Sequence, residues 1–234
     1  MPDLRTPWSD FPDVLPHTSI ASLKAHPAYA DAKAGDFNAA RAVAHALVNP
    51  TRFKWRTDFV VPVIKLDRDS VWNALPLGMA DAISTFSGAK VVTTVFQSNI
   101  VHQSDANAVS RIVNQPLFEG KCPKGSYLIV DDIVSFGSTI ANLRGFIESH
   151  GGKVAAASTF AAQIFATKLR PDSFTISSIL RRFPHADDII QSTTGGVSAA
   201  TLTNREANFI NGLSQIESIR NPLIPTHRVI KNSI

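Results

Sequence analysis

The chain has 234 residues, of which 44% are hydrophobic and 18% charged, with one cysteine and a net charge of +4. That length can bury a sizeable core in one domain with elaborations, and the composition is that of a soluble globular protein. A single thiol, Cys122, excludes an internal disulfide and predicts a reducing compartment. No apolar run reaches the ~18 residues of a bilayer span, and no run of basic residues calls for nucleic acid.

The first residues, Met1 to Pro7, lack a signal-peptide core, so the expected location is the cytoplasm with no membrane association. Pro2, Pro7, Pro12 and Pro16 break helices and predict an extended arm over residues 1–20. Its Trp8, Phe11, Val14 and Leu15 call for a surface to lie on, either the body or a partner. Helical patterns follow over 22–33 and 37–48, separated by Gly35-Asp36 as stop and N-cap. Ala40, Val43, Ala44 and Leu47 form an apolar stripe, as in a helical hairpin packed on a core.

A strand is predicted from Phe59 to Ile64, with Pro62 at a position that does not donate to a neighbour. A charged loop leads from Lys65 to Asn73. The next helix has Pro76 in its first turn, Leu75, Met79, Ile83 and Phe86 as its buried stripe, and Gly88 as its stop. Val91 to Phe96 reads as a second strand. Residues 97–115 hold His102, Asp105 and Arg111 around a short helical pattern at Ala108, Val109, Ile112 and Val113, and 116–125 reads as a turn.

The run Tyr127 to Thr139 says most about chemistry. Tyr127 to Val130 reads as a strand buried on both faces, of the kind found in parallel sheets. Asp131 and Asp132 follow, and paired ionised acids resist burial, which places them at the C-terminal edge of a sheet where open α/β folds bind ligands. Ser135, Phe136, Gly137, Ser138 and Thr139 then lead into a helix whose Ile140, Leu143, Phe146 and Ile147 share a face. A small-residue loop entering a helix forms an anion cradle, because first-turn amides are free and the helix dipole favours negative charge. A solvated Asp-Asp turn followed by an ordinary N-cap is the competing account. The run lacks the Gly-Lys-Ser/Thr ending of a Walker A loop and the spaced glycines of a dinucleotide fingerprint.

Beyond it, Gly151-Gly152 stops the helix and Val154 to Ala162 predicts a strand rich in small residues. Helices are expected at 173–183 and 186–191, Gly195-Gly196 breaks the chain, and Thr203-Asn204-Arg205-Glu206 is a capping box ahead of Phe209, Ile210 and Leu213.

Tyr127 to Thr139 resembles the thirteen-residue phosphoribosyl-pyrophosphate (PRPP) motif of the type I phosphoribosyltransferases. The resemblance implies an α/β fold, a type I phosphoribosyltransferase-like parallel sheet flanked by helices, with helical N- and C-terminal extensions. The corresponding boundaries are an arm and helical extension at 1–52, a core at 53–170 and a C-terminal helical segment at 171–234. By position, Asp131 and Asp132 would take the ribose hydroxyls, and Ser135, Phe136, Gly137, Ser138 and Thr139 the 5′-phosphate; Phe136 is bulkier than the family's usual residue there. The same resemblance gives Lys65, Arg68 and Asn73 the pyrophosphate, although the loop lacks the family's frequent glycine. It makes Arg111 and His102 candidate hood cations for the leaving group. Either terminal helical segment could form the hood that reads the base, or a dimer surface instead.

The activity implied is transfer of a phosphoribosyl group from PRPP to a nitrogenous base, with Mg²⁺ carried by the substrate rather than by protein ligands, in a protein that is often a homodimer. The chain also looks similar to phosphoribosyltransferase-like proteins of mobile elements and retron-type phage-defence loci. That similarity implies the rival reading, a nucleotide-sensing or toxin-like effector, for which a reverse-transcribed nucleic acid would be a partner.

Overall fold

The computed structural model describes residues 4–65, 73–99 and 107–220. Arg68 and His102 therefore lie outside the described residues. In chain order the elements are β1 (Leu15–Pro16), α1 (Ile20–Ala25), α2 (Tyr29–Lys33), α3 (Phe37–Leu47), β2 (Phe59–Pro62), α4 (Leu75–Ser87), β3 (Lys90–Val91) and β4 (Val95–Gln97). Then come α5 (Ala108–Val113), β5 (Phe118–Gly120), β6 (Ser126–Val134), α6 (Ser138–Ser149), β7 (Lys153–Ala162), α7 (Ser173–Arg182), α8 (Ala186–Thr194) and α9 (Asn204–Asn211).

β1, β7, β6, β2 and β3 form, in that order, one sheet whose neighbours are all parallel. This is the expected α/β architecture, a parallel sheet covered on both faces. On one face α3 and α4 bury Ala40, Val43, Leu75, Met79 and Ile83 against Val60, Leu128, Val130 and Phe160. On the other, α6 buries Ile140, Leu143 and Ile147 against Val61, Tyr127, Ile129 and Ala157. The apolar run Tyr127 to Val130 thus feeds both layers alternately, as a central parallel strand must. A third apolar cluster joins α5, α8 and α9 through Ile112, Ile190, Ala207 and Ile210. No helix among the described residues is long and apolar enough to cross a membrane.

The N-terminal arm lies on the body. Trp8, Phe11 and Val14 pack on the α6 side of the sheet, and β1 adds an edge strand along β7. At the crossing of arm and helix stands Gly145, where a Cβ would collide with the Leu4 carbonyl.

Several elements differ from the sequence expectation. The helix expected over 22–33 is two, α1 and α2, because Pro27 cannot continue a helical ladder. The strand expected over 91–96 splits into β3 and β4, and β4 turns away to pair antiparallel with β5, inside what read as a plain turn. Phe86, expected in the buried stripe of α4, is 41% exposed. β6 continues through Val134, paired with β7, so Asp131 and Asp132 lie within a strand and not after it. Pro62 is accommodated as expected: Val63 donates to Val130 O, so alternation turns the Pro62 nitrogen the other way, past the end of β3.

Candidate functional site

β6 outlasts its neighbour β2. Their register ends at Pro62 opposite Val130, so Asp131 and Asp132 have β7 on one side and, among the described residues, no strand on the other. Side chains fill that gap. Lys33 of α2 donates to Asp132 Oδ2 at 2.6 Å and Asn73 Nδ2 donates to the same oxygen at 2.8 Å. Asp132 Oδ1 accepts from the Ile133 amide at 2.7 Å, while Asp131 Oδ1 accepts from the Asp132 amide at 2.8 Å. Asn73 also caps the first turn of α4, its Oδ1 accepting from Leu75 N at 3.2 Å.

The electrostatics of the pair are uneven. Burial, reinforced by the charge of Asp132, pushes the Asp131 carboxyl well above the usual carboxylate range. Burial alone would lower the Lys33 ammonium, but the charge and hydrogen bond of Asp132 outweigh it and raise its pKa. Tyr29 stands near both charges, its hydroxyl pushed up chiefly by burial.

The loop after the strand is held from three directions. Arg111 Nη1 donates to Ser135 Oγ at 2.9 Å, and its guanidinium lies 5.7 Å from the Phe136 ring centre. Arg205 approaches the same ring at 5.3 Å and donates to Gln163 Oε1 at 3.1 Å. Thr203 Oγ1 donates to the Phe136 carbonyl at 2.7 Å. Gly137 takes φ +83, a left-handed conformation, and a Cβ there would collide with Leu169. It begins α6 without a side-chain cap. The first-turn amides and dipole favour an anion there, although Gly137 and Ser138 are themselves buried.

Ser138 faces inward. Its Oγ donates at 2.6 Å to Glu206 Oε1, and Ser138 is only 3% exposed. Glu206 is fully buried and paired with Arg5 Nη1 at 2.6 Å; Arg5 also bonds Gln115, Asn142 and the Thr201 carbonyl. Burial would raise the Glu206 pKa, but the Arg5 charge and the bonds from Arg5, Ser138 and Thr203 overcome it and hold it low. One guanidinium therefore ties the arm to α6 and α9 directly beneath the loop.

Asp131, Asp132 and Asn73 come together at the end of β6, and Arg111 joins Ser135 and Phe136 at the loop. Lys65 forms a parallel backbone bridge with Gln97. Sequence reasoning missed Lys33, Arg5 and Arg205, and it read Glu206 only as part of a capping box, which the structure shows intact at Thr203. Among the described residues no cluster of His, Cys, Asp or Glu could hold a metal.

No known family profile matches the chain. It is similar to protein TraN of Escherichia coli, 31% identical over 238 residues that take in 98% of this chain and 53% of TraN. It is also similar to an uncharacterised protein of Haemophilus influenzae, 29% identical over 153 residues, 62% of this chain and 34% of that protein. The chain thus spans about half the length of the first relative and a third of the second. Among solved structures, an adenine phosphoribosyltransferase from Thermoanaerobacter pseudethanolicus overlaps 60% of this chain and 75% of its own, with TM-score 0.35 and 17% identity. The UMP synthase of Leishmania donovani overlaps 56% of this chain and 24% of its own, with TM-score 0.35 and 18% identity. The adenine phosphoribosyltransferase of the same organism overlaps 67% and 66%, with TM-score 0.34 and 9% identity.

Proposed function

We propose that the chain binds PRPP between the β6 acids and the start of α6 and transfers its phosphoribosyl group to a nitrogenous base. The observation that carries this reading is the juxtaposition at one sheet edge of an acid pair beyond the end of β2 and a helix start without a side-chain cap. A ribose 5-phosphate needs both: acceptors for its hydroxyls and amides for its phosphate. Asp131 and Asp132 would hold the ribose, and the backbone from Ser135 to Thr139 the 5′-phosphate. Arg111 would stand behind Ser135 with its charge toward the anion.

In the transfer, the bond between the anomeric carbon and the pyrophosphate oxygen breaks and its electron pair leaves with pyrophosphate. A nitrogen lone pair forms the new bond, and the proton on that nitrogen passes to solvent. The transition state is cationic at the anomeric carbon, so the protein's contribution is holding the sugar and supplying negative potential from the acids. Mg²⁺ would come with the substrate's phosphates and neutralise the leaving group, because Lys33 and Asn73 leave Asp132 little capacity to ligate it. Lys65 and Arg68, which follow β2 in the sequence, are the residues proposed for the pyrophosphate.

The test is a panel of bases and nucleosides incubated with PRPP and Mg²⁺ and read by mass spectrometry, with pyrophosphate release in parallel. A new phosphoribosyl product, lost in Asp131→Asn, is expected; no product across a broad panel refutes the transfer. A second reading is favoured by one observation: Asp132 and Ser138 already satisfy their polar atoms within the chain. A protein that senses a ribose phosphate without turnover would show thermal stabilisation by PRPP and no pyrophosphate release.

A further inference from the structure

The two acids are not equivalent. A carboxylate offers about four acceptor positions. On Asp132, Lys33 and Asn73 take Oδ2 and the Ile133 amide takes Oδ1, whereas Asp131 accepts only the Asp132 amide on Oδ1. No further donor reaches Asp131 among the described residues, where its other contact is the neighbouring Asp132 carboxyl, and the residue is half-buried, not buried. The strand beside it is short of a partner too. Thr159, the register mate of Asp131 on β7, is fully buried and its hydroxyl is unpartnered among the described residues.

We propose that the acids divide the work: Asp131 is the carboxylate that accepts a ligand hydroxyl, and Lys33, with Asn73, makes Asp132 the positioning member of the pair. This rests on the ribose-phosphate reading and deepens it. Lys33 comes from α2, so the N-terminal helices complete the site and do not merely cover the sheet. Among the described residues, the charged and titratable groups recorded around the pair are Asp131, Asp132, Lys33 and Tyr29. Lys33 restrains the rise of Asp131 electrostatically, in opposition to burial. A ligand hydroxyl that needs an ionised acceptor is therefore bound better as pH rises through the titration of Asp131.

Two measurements test this. Ligand-free protein with ¹³C-labelled aspartate carboxyls is titrated by NMR: Lys33→Met moves the Asp131 transition upward and Lys33→Arg restores it. An unmoved Asp131 transition in Lys33→Met overturns the role of Lys33. Binding of ribose 5-phosphate is then measured by calorimetry across pH. Asp131→Asn loses tenfold or more, while Asp132→Asn, whose fold is checked by thermal melting, loses threefold or less; the reverse order overturns the division of labour. If the wild-type protein binds no ribose 5-phosphate, the functional reading falls together with the acceptor role of Asp131, and the titration still decides Lys33.

Discussion

Replacing Glu206 with Gln removes one charge from a fully buried pair whose partner, Arg5, is held in place by the fold. A Gln oxygen in place of Oε1 still accepts from Ser138 and Arg5 Nη2, but the amide nitrogen in place of Oε2 then confronts Arg5 Nη1 and the Thr203 amide, both donors. Breaking a buried pair from one side costs ~3–5 kcal/mol, because the remaining charge is uncompensated. For a chain of this size that corresponds to a fall of about 6–20 °C in melting temperature. The assay is urea unfolding of wild type, Glu206→Gln, Arg5→Gln and the double variant. Because the residues touch, the double variant should cost less than the sum of the singles by ~2 kcal/mol or more. The pH dependence has a definite sign. The pKa of Glu206 is lowered in the fold, so its contribution is whole above the unfolded carboxylate range near ~4.3 and is lost on acidification through the depressed value. A loss below ~1 kcal/mol for Glu206→Gln, or strict additivity, would refute the claim that this pair anchors the loop.

Gly137→Ala should cost ~1–3 kcal/mol through its left-handed φ and the collision with Leu169, and thermal melting measures it. Asp131→Asn should stabilise the protein at neutral pH: a carboxyl with a raised folded pKa favours the fold at low pH and loses that contribution as pH rises through its folded value, so the gain in melting temperature should vanish toward pH ~4. His17, whose pKa is lowered to about 4 by burial and by Arg52, opposes acidification in the other direction. It binds its proton more readily unfolded, so stability falls between pH ~6.5 and about 4, and His17→Gln should flatten that part of the stability profile.

Local chemistry was readable in the sequence wherever neighbours in the chain decide it. The strand from Tyr127, Gly137 as the bend, the α6 stripe, the Gly88 stop and the Thr203 capping box all follow from short-range pattern and conformational preference. What stayed hidden is what distant segments bring. Lys33 reads as an ordinary helix-end cation and meets Asp132 across 99 positions, and Arg5 sits in a proline-rich arm 201 positions from Glu206. No local pattern marks such partners, because burial and desolvation create the pairing only after the layers assemble. The split of β3 from β4 was illegible for a related reason: Val92 to Thr94 looks like strand, and only the antiparallel partner β5 reveals the turn. The inward rotation of Ser138 belongs to the same class, since a hydroxyl at a helix start looks equally suited to a phosphate or to a buried carboxylate.

The most direct measurement is a crystal structure of the protein soaked with ribose 5-phosphate. The account predicts phosphate density on the backbone amides between Ser135 and Thr139, with a ribose hydroxyl on Asp131 Oδ2 and Lys33 still on Asp132. Density for the phosphate elsewhere, or a sugar that leaves Asp131 untouched while the site stays accessible in the lattice, would contradict it.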